Sequence, residues 1–249
     1  MSEWTKAAPG PFRRDATTTD YLRDSGLVSF DLAQTAPRSD AAILERPIGR
    51  TVPYPAPSEN ARRAASLSDI LSARRSEWPR AGRERLHVPT VMARTFGTVR
   101  VGVDGHHHRA YPSASRAYAV HAHVFAPAID DSVIGRYDPR GHGLHEVVST
   151  SASSLDALTP QTRFGYRTFA DAGAAIFLVG DIAALSGRYG ALALRLLLLE
   201  AGHIGGLLQL VCTELGGTAL PMGGFYDDEV ATALSLDAGQ HCLYVWVIG

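Results

Sequence analysis

Four short segments of this chain combine residue types that could hold one flat, phosphorylated ligand. A guanidinium group matches phosphate oxygens with two parallel hydrogen bonds, and a serine hydroxyl adds a further donor. Paired glycines let the backbone approach a planar ring closely. The segments are Arg74-Arg75-Ser76, Pro112-Ser113-Ala114-Ser115, Arg188-Tyr189 and Met222-Gly223-Gly224. Their spacing along one chain suggests a cofactor held from several sides.

Each segment also has a purely structural interpretation. Arg74 and Arg75 at a helix end would complement the helix dipole. The stretch Arg109–Arg116 could be a polar turn that leads into a strand, and Gly223-Gly224 could be an ordinary turn. Arg188 and Tyr189 could form the first turn of a helix without any chemistry. From the residues alone, both interpretations stay open for every segment.

The elements that would position these segments alternate between strand and helix patterns. Ser66 with Asp69 predicts a capping box for a short helix that runs into Arg74. We expect a turn at Gly135–Pro139 that leads into a short edge segment. Further expected elements are strands at Val99–Val103, Arg116–Phe125, Ile176–Val179 and Leu243–Ile248, and helices at Tyr189–Gly216 and 227–236. This alternation favours an α+β or α/β fold.

The composition excludes several classes of protein. The 249 residues are 45% hydrophobic and 20% charged with a net charge of −1, which gives no general attraction to nucleic acid. Lys6 is the only lysine, so an internal Schiff base is excluded. Two cysteines in apolar runs and no signal-peptide pattern lead us to expect a cytoplasmic protein. The most apolar stretch contains Arg195 and Glu200, which indicates a buried helix and not a membrane span. We expect an irregular N-terminal arm over residues 1–60 and one domain over residues 61–249.

Metal binding is not predicted. Glu200 and His203 share a helix face, but a carboxylate–histidine metal site would need a second copy of that pair. The run His106-His107-His108, considered with His121 and His123, lacks cysteine or acidic partners at suitable spacing. We interpret the run as a solvated turn and the Glu200–His203 pair as a satisfied helix-interface pair.

The order of the four segments resembles FMN-dependent nitroreductase-like enzymes, and specifically SagB-type dehydrogenases of azole-containing peptide biosynthesis. The resemblance covers roughly residues 65–249. It implies an α+β fold with a mixed sheet flanked by helices, a long central dimer-interface helix, and a homodimer that binds FMN non-covalently between its protomers. The cofactor-binding residues it implies are Arg74, Arg75, Ser76, Arg109, Pro112, Ser113, Ala114, Ser115, Met222, Gly223 and Gly224.

The same resemblance implies that Arg188 and Tyr189 are catalytic. Azoline oxidases of this type carry Lys-Tyr here, which is thought to assist proton removal as hydride leaves to the flavin. The expected activity is oxidation of a thiazoline or oxazoline in a peptide or small-molecule intermediate, with a cyclodehydratase as a possible partner. The alternatives are an NAD(P)H-dependent nitroreductase and a non-catalytic flavin-binding scaffold. This chain departs from the pattern at Arg188, at Ser115 in place of glycine, and at Trp78 in place of a basic residue.

Overall fold

A seven-stranded sheet occupies the centre of the protein. The computed structural model describes residues 51–56, 65–79 and 86–249, so most of the expected N-terminal arm lies outside the described residues. The strands are β1 Val52–Pro53, β2 Thr98–Val101, β3 His107–Arg109, β4 Val120–Ala126, β5 Asp130–Asp138, β6 Gly143–Ser149, β7 Ala174–Asp181, β8 Ala219–Met222 and β9 Gln240–Ile248. The order in the sheet is β1-β6-β5-β4-β7-β9-β8, and β2 pairs with β3 in a separate hairpin.

Every pair of neighbouring strands is antiparallel. The parallel contribution is a single isolated bridge that joins Ser76 to Ala219 at the start of β8. Because Ser76 follows the first described helix, this bridge fixes the end of that helix to the edge of the sheet.

Helices cover both faces of the sheet. They are α1 Leu67–Ala73, α2 Val88–Phe96, α3 Ala152–Leu155, α4 Pro160–Arg163, α5 Ile182–Tyr189, α6 Leu192–Glu214 and α7 Asp227–Ala233, with 3-10 turns at Ala114–Arg116, Asp156–Leu158 and Phe169–Asp171. The predicted capping box is present at α1, where Ser66 accepts from the backbone N–H of Asp69. Side chains alternate along a strand, so β4 contributes Val120 to the core beneath α6 and Phe125 to the core on the opposite face. The α+β class is confirmed.

The long helix α6 passes through the middle of this arrangement. Its most apolar stretch has a mean hydropathy of 1.5, which by length and composition could cross a membrane, but half of that stretch is buried inside the fold. This is the burial expected of a core helix. Gly205 lies directly on Trp246 of β9, because a Cβ there would meet the Trp246 ring at 2.5 Å.

Three of the expected element boundaries are wrong. The strand expected from Arg116 begins only at Val120, because residues 114–118 form a 3-10 turn and left-handed backbone. Gly135–Asp138 belong to β5, an interior strand of nine residues, and not to a turn at an edge. Tyr189 ends α5 instead of starting the long helix, since Gly190 with φ 53° separates the two helices.

Candidate functional site

The Arg74–Ser76 segment lies at the junction of α1, α6 and β8. Arg74 donates to Ser76 Oγ at 3.1 Å, and the amide of Gln209 on α6 donates to the same oxygen at 2.9 Å. The Gln209 amide also reaches the carbonyl oxygens of Arg75 and Ala219. Ser76 Oγ thus accepts two hydrogen bonds and keeps its own proton to donate, with no acceptor for it among the described residues. Arg75 turns its guanidinium back onto the carbonyls of Ser72 and Arg74.

The paired glycines lie at the other end of β8. Gly223 and Gly224 directly follow Met222, and a Cβ added at either glycine would have no atom within 4 Å. The Met222 side chain is buried in the core, so only its backbone faces this region. Ser76 is bridged to Ala219, four residues before Gly223, which places the two groups about 13 Å apart along the strand. A ligand with a phosphate at one end and a planar ring at the other fits this layout.

A second cluster surrounds Glu200 on α6. Glu200 is 2% exposed, its Oε2 accepts from the Ser113 hydroxyl at 2.6 Å, and its Oε1 accepts from the Val120 N–H at 3.2 Å. Ser113 Oγ in turn accepts from the Tyr118 N–H at 2.8 Å. Burial raises the pKa of Glu200 to about 6, although the hydrogen bond from Ser113 opposes the shift. His203 is exposed, so Glu200 forms its pair with Ser113 and not with His203 as expected.

Arg109 supports the far side of this cluster. Its backbone N–H donates to the Tyr118 hydroxyl at 3.0 Å, and its side chain donates to the Tyr111 hydroxyl at 2.7 Å. The guanidinium carbon lies 4.5 Å from the centre of the Tyr118 ring, a cation–π distance. Arg109 therefore braces the loop, and its Nη1 is already used internally. Pro112 is exposed on the same loop, and Ala114 begins the 3-10 turn.

Backbone conformation in this loop is unusual. Ser115, Arg116 and Tyr118 have φ values of 50°, 59° and 48°. Left-handed conformations of residues other than glycine cost about 1–3 kcal/mol each and persist only where the surroundings impose them. In this conformation the Ser115 hydroxyl forms a hydrogen bond with the Tyr189 hydroxyl.

The Arg188–Tyr189 pair therefore faces the Ser115 loop. The guanidinium carbon of Arg188 lies 5.6 Å from the centre of the Tyr189 ring, and the buried Arg188 Nε has no hydrogen-bond partner among the described residues. Tyr189 ends α5, so the helix dipole there is the reverse of that expected at a helix start. The α5 dipole therefore does not favour a phenolate at this position.

The histidines form no metal centre in the part of the chain that the structure describes. His106–His108 were expected to form a solvated turn, but His107 and His108 belong to strand β3, where they pair with β2. His121 and His123 are buried residues of β4. Burial lowers the pKa of His123 to about 3 and that of His121 well below its usual range. Arg136 lowers both pKa values further.

The sequence profile of the nitroreductase family matches residues 65–249, about three quarters of the chain. The chain belongs to the nitroreductase family. Family members generally bind flavin, and the open glycines and the Arg74–Ser76 junction suit such a cofactor. In this family context, Gln209 is a candidate that sequence reasoning missed, and Glu200 was expected to pair with His203 instead of Ser113. The sequence did carry a signal for both residues, because a polar residue within an apolar helix is expected to have a buried hydrogen-bond partner.

Solved structures share the fold at low identity. A candidate nitroreductase from Ralstonia eutropha JMP134 has a TM-score of 0.65 at 18% identity, over 89% of this chain and 95% of that one. The Escherichia coli microcin synthetase McbBCD complex with truncated pro-MccB17 contains a chain with a TM-score of 0.59 at 17% identity, over 94% and 91%. A candidate nitroreductase from Exiguobacterium sibiricum 255-15 in complex with FMN has a TM-score of 0.52 at 15% identity, over 76% and 90%. No curated protein matches the chain by sequence.

Proposed function

We propose that this protein is an FMN-dependent oxidase or dehydrogenase that takes a hydride from a carbon next to nitrogen in a biosynthetic intermediate, while a proton leaves the neighbouring carbon and a C=C bond forms. The observation that carries the proposal is the layout of β8, with the Ser76 hydroxyl and Arg74 at its start and two open glycines at its end. Arg74 and Ser76 would hold the phosphate, and the backbone of Gly223 and Gly224 would face the ring. FMN, when bound, supplies the hydride acceptor.

The proposed substrate is a thiazoline or oxazoline in a modified peptide. Similarity to a chain of the microcin synthetase complex supports this class, as does the Arg188–Tyr189 pair. Hydride loss next to nitrogen also requires a proton to leave, and a positioned base typically contributes 10²- to 10⁴-fold to the rate. Arginine stays protonated and is a poor base, so we assign the proton to the phenolate form of Tyr189, which would become the neutral phenol beside the Arg188 guanidinium.

We also propose a homodimer with the flavin between its protomers. Glu200 and Gln209 are nine residues apart, which puts them on opposite sides of α6 and about 13 Å apart along it. The Ser113 loop and the Arg74 segment are therefore separated by the helix within one chain. Just before Glu200, α6 exposes Leu198 and Leu199, at 45% and 54%, and the open Gly202 and Gly206 lie between Glu200 and Gln209. A second copy packed on this strip would bring one segment of each kind together.

The test begins with the absorption spectrum of the purified protein, which should show bound FMN that is released on denaturation. Light scattering should give twice the 26.7 kDa chain mass. Under anaerobic conditions, an azoline-containing peptide should reduce the flavin. Tyr189→Phe should keep FMN and the dimer but slow that reduction at least about 100-fold.

A second candidate is an NAD(P)H-dependent nitroreductase, which the similarity to the Ralstonia protein favours. Rapid reduction of the flavin by NAD(P)H, with no reduction by the azoline peptide, would select it. Bound FMN that neither reagent reduces would instead indicate a flavin-binding scaffold for a cyclodehydratase. A colourless protein that takes up no added FMN would refute all three functions.

A further inference from the structure

Strained backbone in this protein is concentrated at one place. Of the five residues other than glycine with positive φ among the described residues, three lie in the four-residue stretch Ser115–Tyr118. Such strain is retained mainly at functional sites, where the surrounding contacts impose it. The stretch is therefore held in this shape for some purpose that a relaxed turn would not serve.

The contacts that impose this shape converge on Glu200. Its two carboxylate oxygens bind Ser113 and Val120, which flank the strained stretch on both sides. Ser113 Oγ then binds the Tyr118 N–H, which closes the loop across its own ends. One buried carboxylate thus ties both ends of the stretch to α6, while Arg109 and Asp104 hold Tyr118 and Arg116 within it.

The strained stretch brings the Ser115 side chain to Tyr189. Its hydroxyl meets the Tyr189 hydroxyl, although the two residues lie 74 positions apart in the chain. Glycine would adopt φ 50° at little cost but would bring no hydroxyl. Serine at this position carries the cost of the left-handed backbone and gains a hydrogen bond to the phenol.

We propose that Ser115 is a positioning residue for Tyr189, with its hydroxyl donating to the phenol oxygen, and that Glu200 fixes the loop that presents it. Arg188 lies beside the ring of Tyr189 and would supply positive charge, while Ser115 would orient the oxygen. The significance of this pair for catalysis rests on the proposed function. The pair itself does not depend on that function.

A double-mutant cycle tests whether the pair is coupled in solution. Ser115→Ala, Tyr189→Phe and the double variant should show a coupling of at least about threefold in the unfolding equilibrium constant. Ser115→Gly removes the same oxygen but relieves the backbone, so it should be roughly threefold more stable than Ser115→Ala. Additive effects of the two single substitutions would overturn the proposal.

Chemical nitration of tyrosine provides a readout that a purely structural role would not change. Tetranitromethane reacts with the ionised form of a tyrosine. A hydrogen bond donated by the Ser115 hydroxyl would stabilise that form of Tyr189. Tyr166, which is 50% exposed, serves as the internal reference. In both Ser115→Ala and Ser115→Gly, nitration of Tyr189 relative to Tyr166 should fall about tenfold, the change expected for a lost hydrogen bond to a charged group. An unchanged or faster rate, or opposite results in the two variants, would overturn the proposal.

The role of Glu200 has its own matched comparison. Glu200→Ala should lower Tyr189 nitration as Ser115→Ala does, because the loop is released. Gln209→Ala, on the other side of α6, should leave it at the wild-type rate. If Glu200→Ala does not fold, the two Ser115 variants still decide the proposal. None of these measurements uses FMN or a substrate, so a protein that binds no flavin would refute the proposed function and leave this result standing.

Discussion

The two clusters on either side of α6 are built in opposite ways. Around Gln209, the acceptors on Arg75 and Ser76 are exposed, the Ser76 hydroxyl keeps a proton to donate, and the glycines beyond β8 face open space. Around Glu200, the donors are buried and paired, and the backbone is strained. The first cluster leaves groups open, and the second pairs its groups inside the protein. Open and internally paired groups are thus divided between the two sides of one helix.

Removal of the Glu200 carboxylate should have the largest effect. In Glu200→Ala, the Ser113 hydroxyl and the Val120 N–H lose their acceptor inside the core, and each unsatisfied group costs about 1–3 kcal/mol. We expect a loss of roughly 2–4 kcal/mol in the free energy of unfolding, measured with denaturant. Gln209→Ala should cost only about 1 kcal/mol, because water can replace the amide. Equal losses in the two variants would abolish the distinction between the clusters.

Arg74→Ala tests the open cluster. It should weaken FMN binding by about 1.5–3 kcal/mol, or ten- to a hundredfold in dissociation constant. Quenching of flavin fluorescence by the apoprotein gives the affinity. Arg75→Ala is the control, since the Arg75 guanidinium is occupied by backbone carbonyls and should contribute less. A larger loss for Arg75→Ala would reverse the assignment of the phosphate contact.

The pH dependence of stability isolates the buried charge. The folded pKa of Glu200, about 6, lies above its usual 4.5, so the folded state binds the proton more tightly than the unfolded state. The stability that this difference provides is present below pH 4.5 and is lost as the pH rises through 6. Glu200→Gln removes this pH-dependent contribution to stability. Its free energy of unfolding relative to wild type should therefore rise by about 2 kcal/mol between pH 4 and pH 8. A difference that does not vary with pH would show that the carboxylate titrates normally.

The smallest effect on stability is expected at Gly223. In Gly223→Ala the added methyl group meets no atom within 4 Å, so the free energy of unfolding should stay within about 0.5 kcal/mol of wild type. FMN affinity should nevertheless fall, because the methyl group would occupy the space proposed for the ring. Gly205→Ala is the contrasting variant, since its methyl would strike Trp246 and cost about 1–3 kcal/mol. Unchanged FMN affinity in Gly223→Ala would move the ring away from this turn.

The residue types of the candidate site could be chosen from the sequence, but the contacts among them could not. Arginine, serine and glycine segments follow from what a phosphate and a planar ring require. The roles within each segment do not follow, as Arg75 shows by turning back onto its own helix and Met222 by burying its side chain. The resemblance places Arg109 at the cofactor, but residue type does not predict the hydrogen bond from its Nη1 to Tyr111. Side-chain direction depends on neighbours that local sequence does not specify.

The sequence alone determined the elements whose signals are local. Helix α1 follows from the Ser66–Asp69 capping box, and α6 follows from its long apolar pattern. Strand β7 follows from a short run of apolar residues. Caps and periodicity act over a few positions, so the local sequence is enough. Tertiary structure decided the pairing of Ser113 with Glu200, 87 residues away, and of Ser76 with Gln209, 133 residues away. It also turned Tyr189 into a helix end, through the left-handed Gly190. Contacts at such separations depend on strand order and helix placement, which only the packing of the whole core fixes.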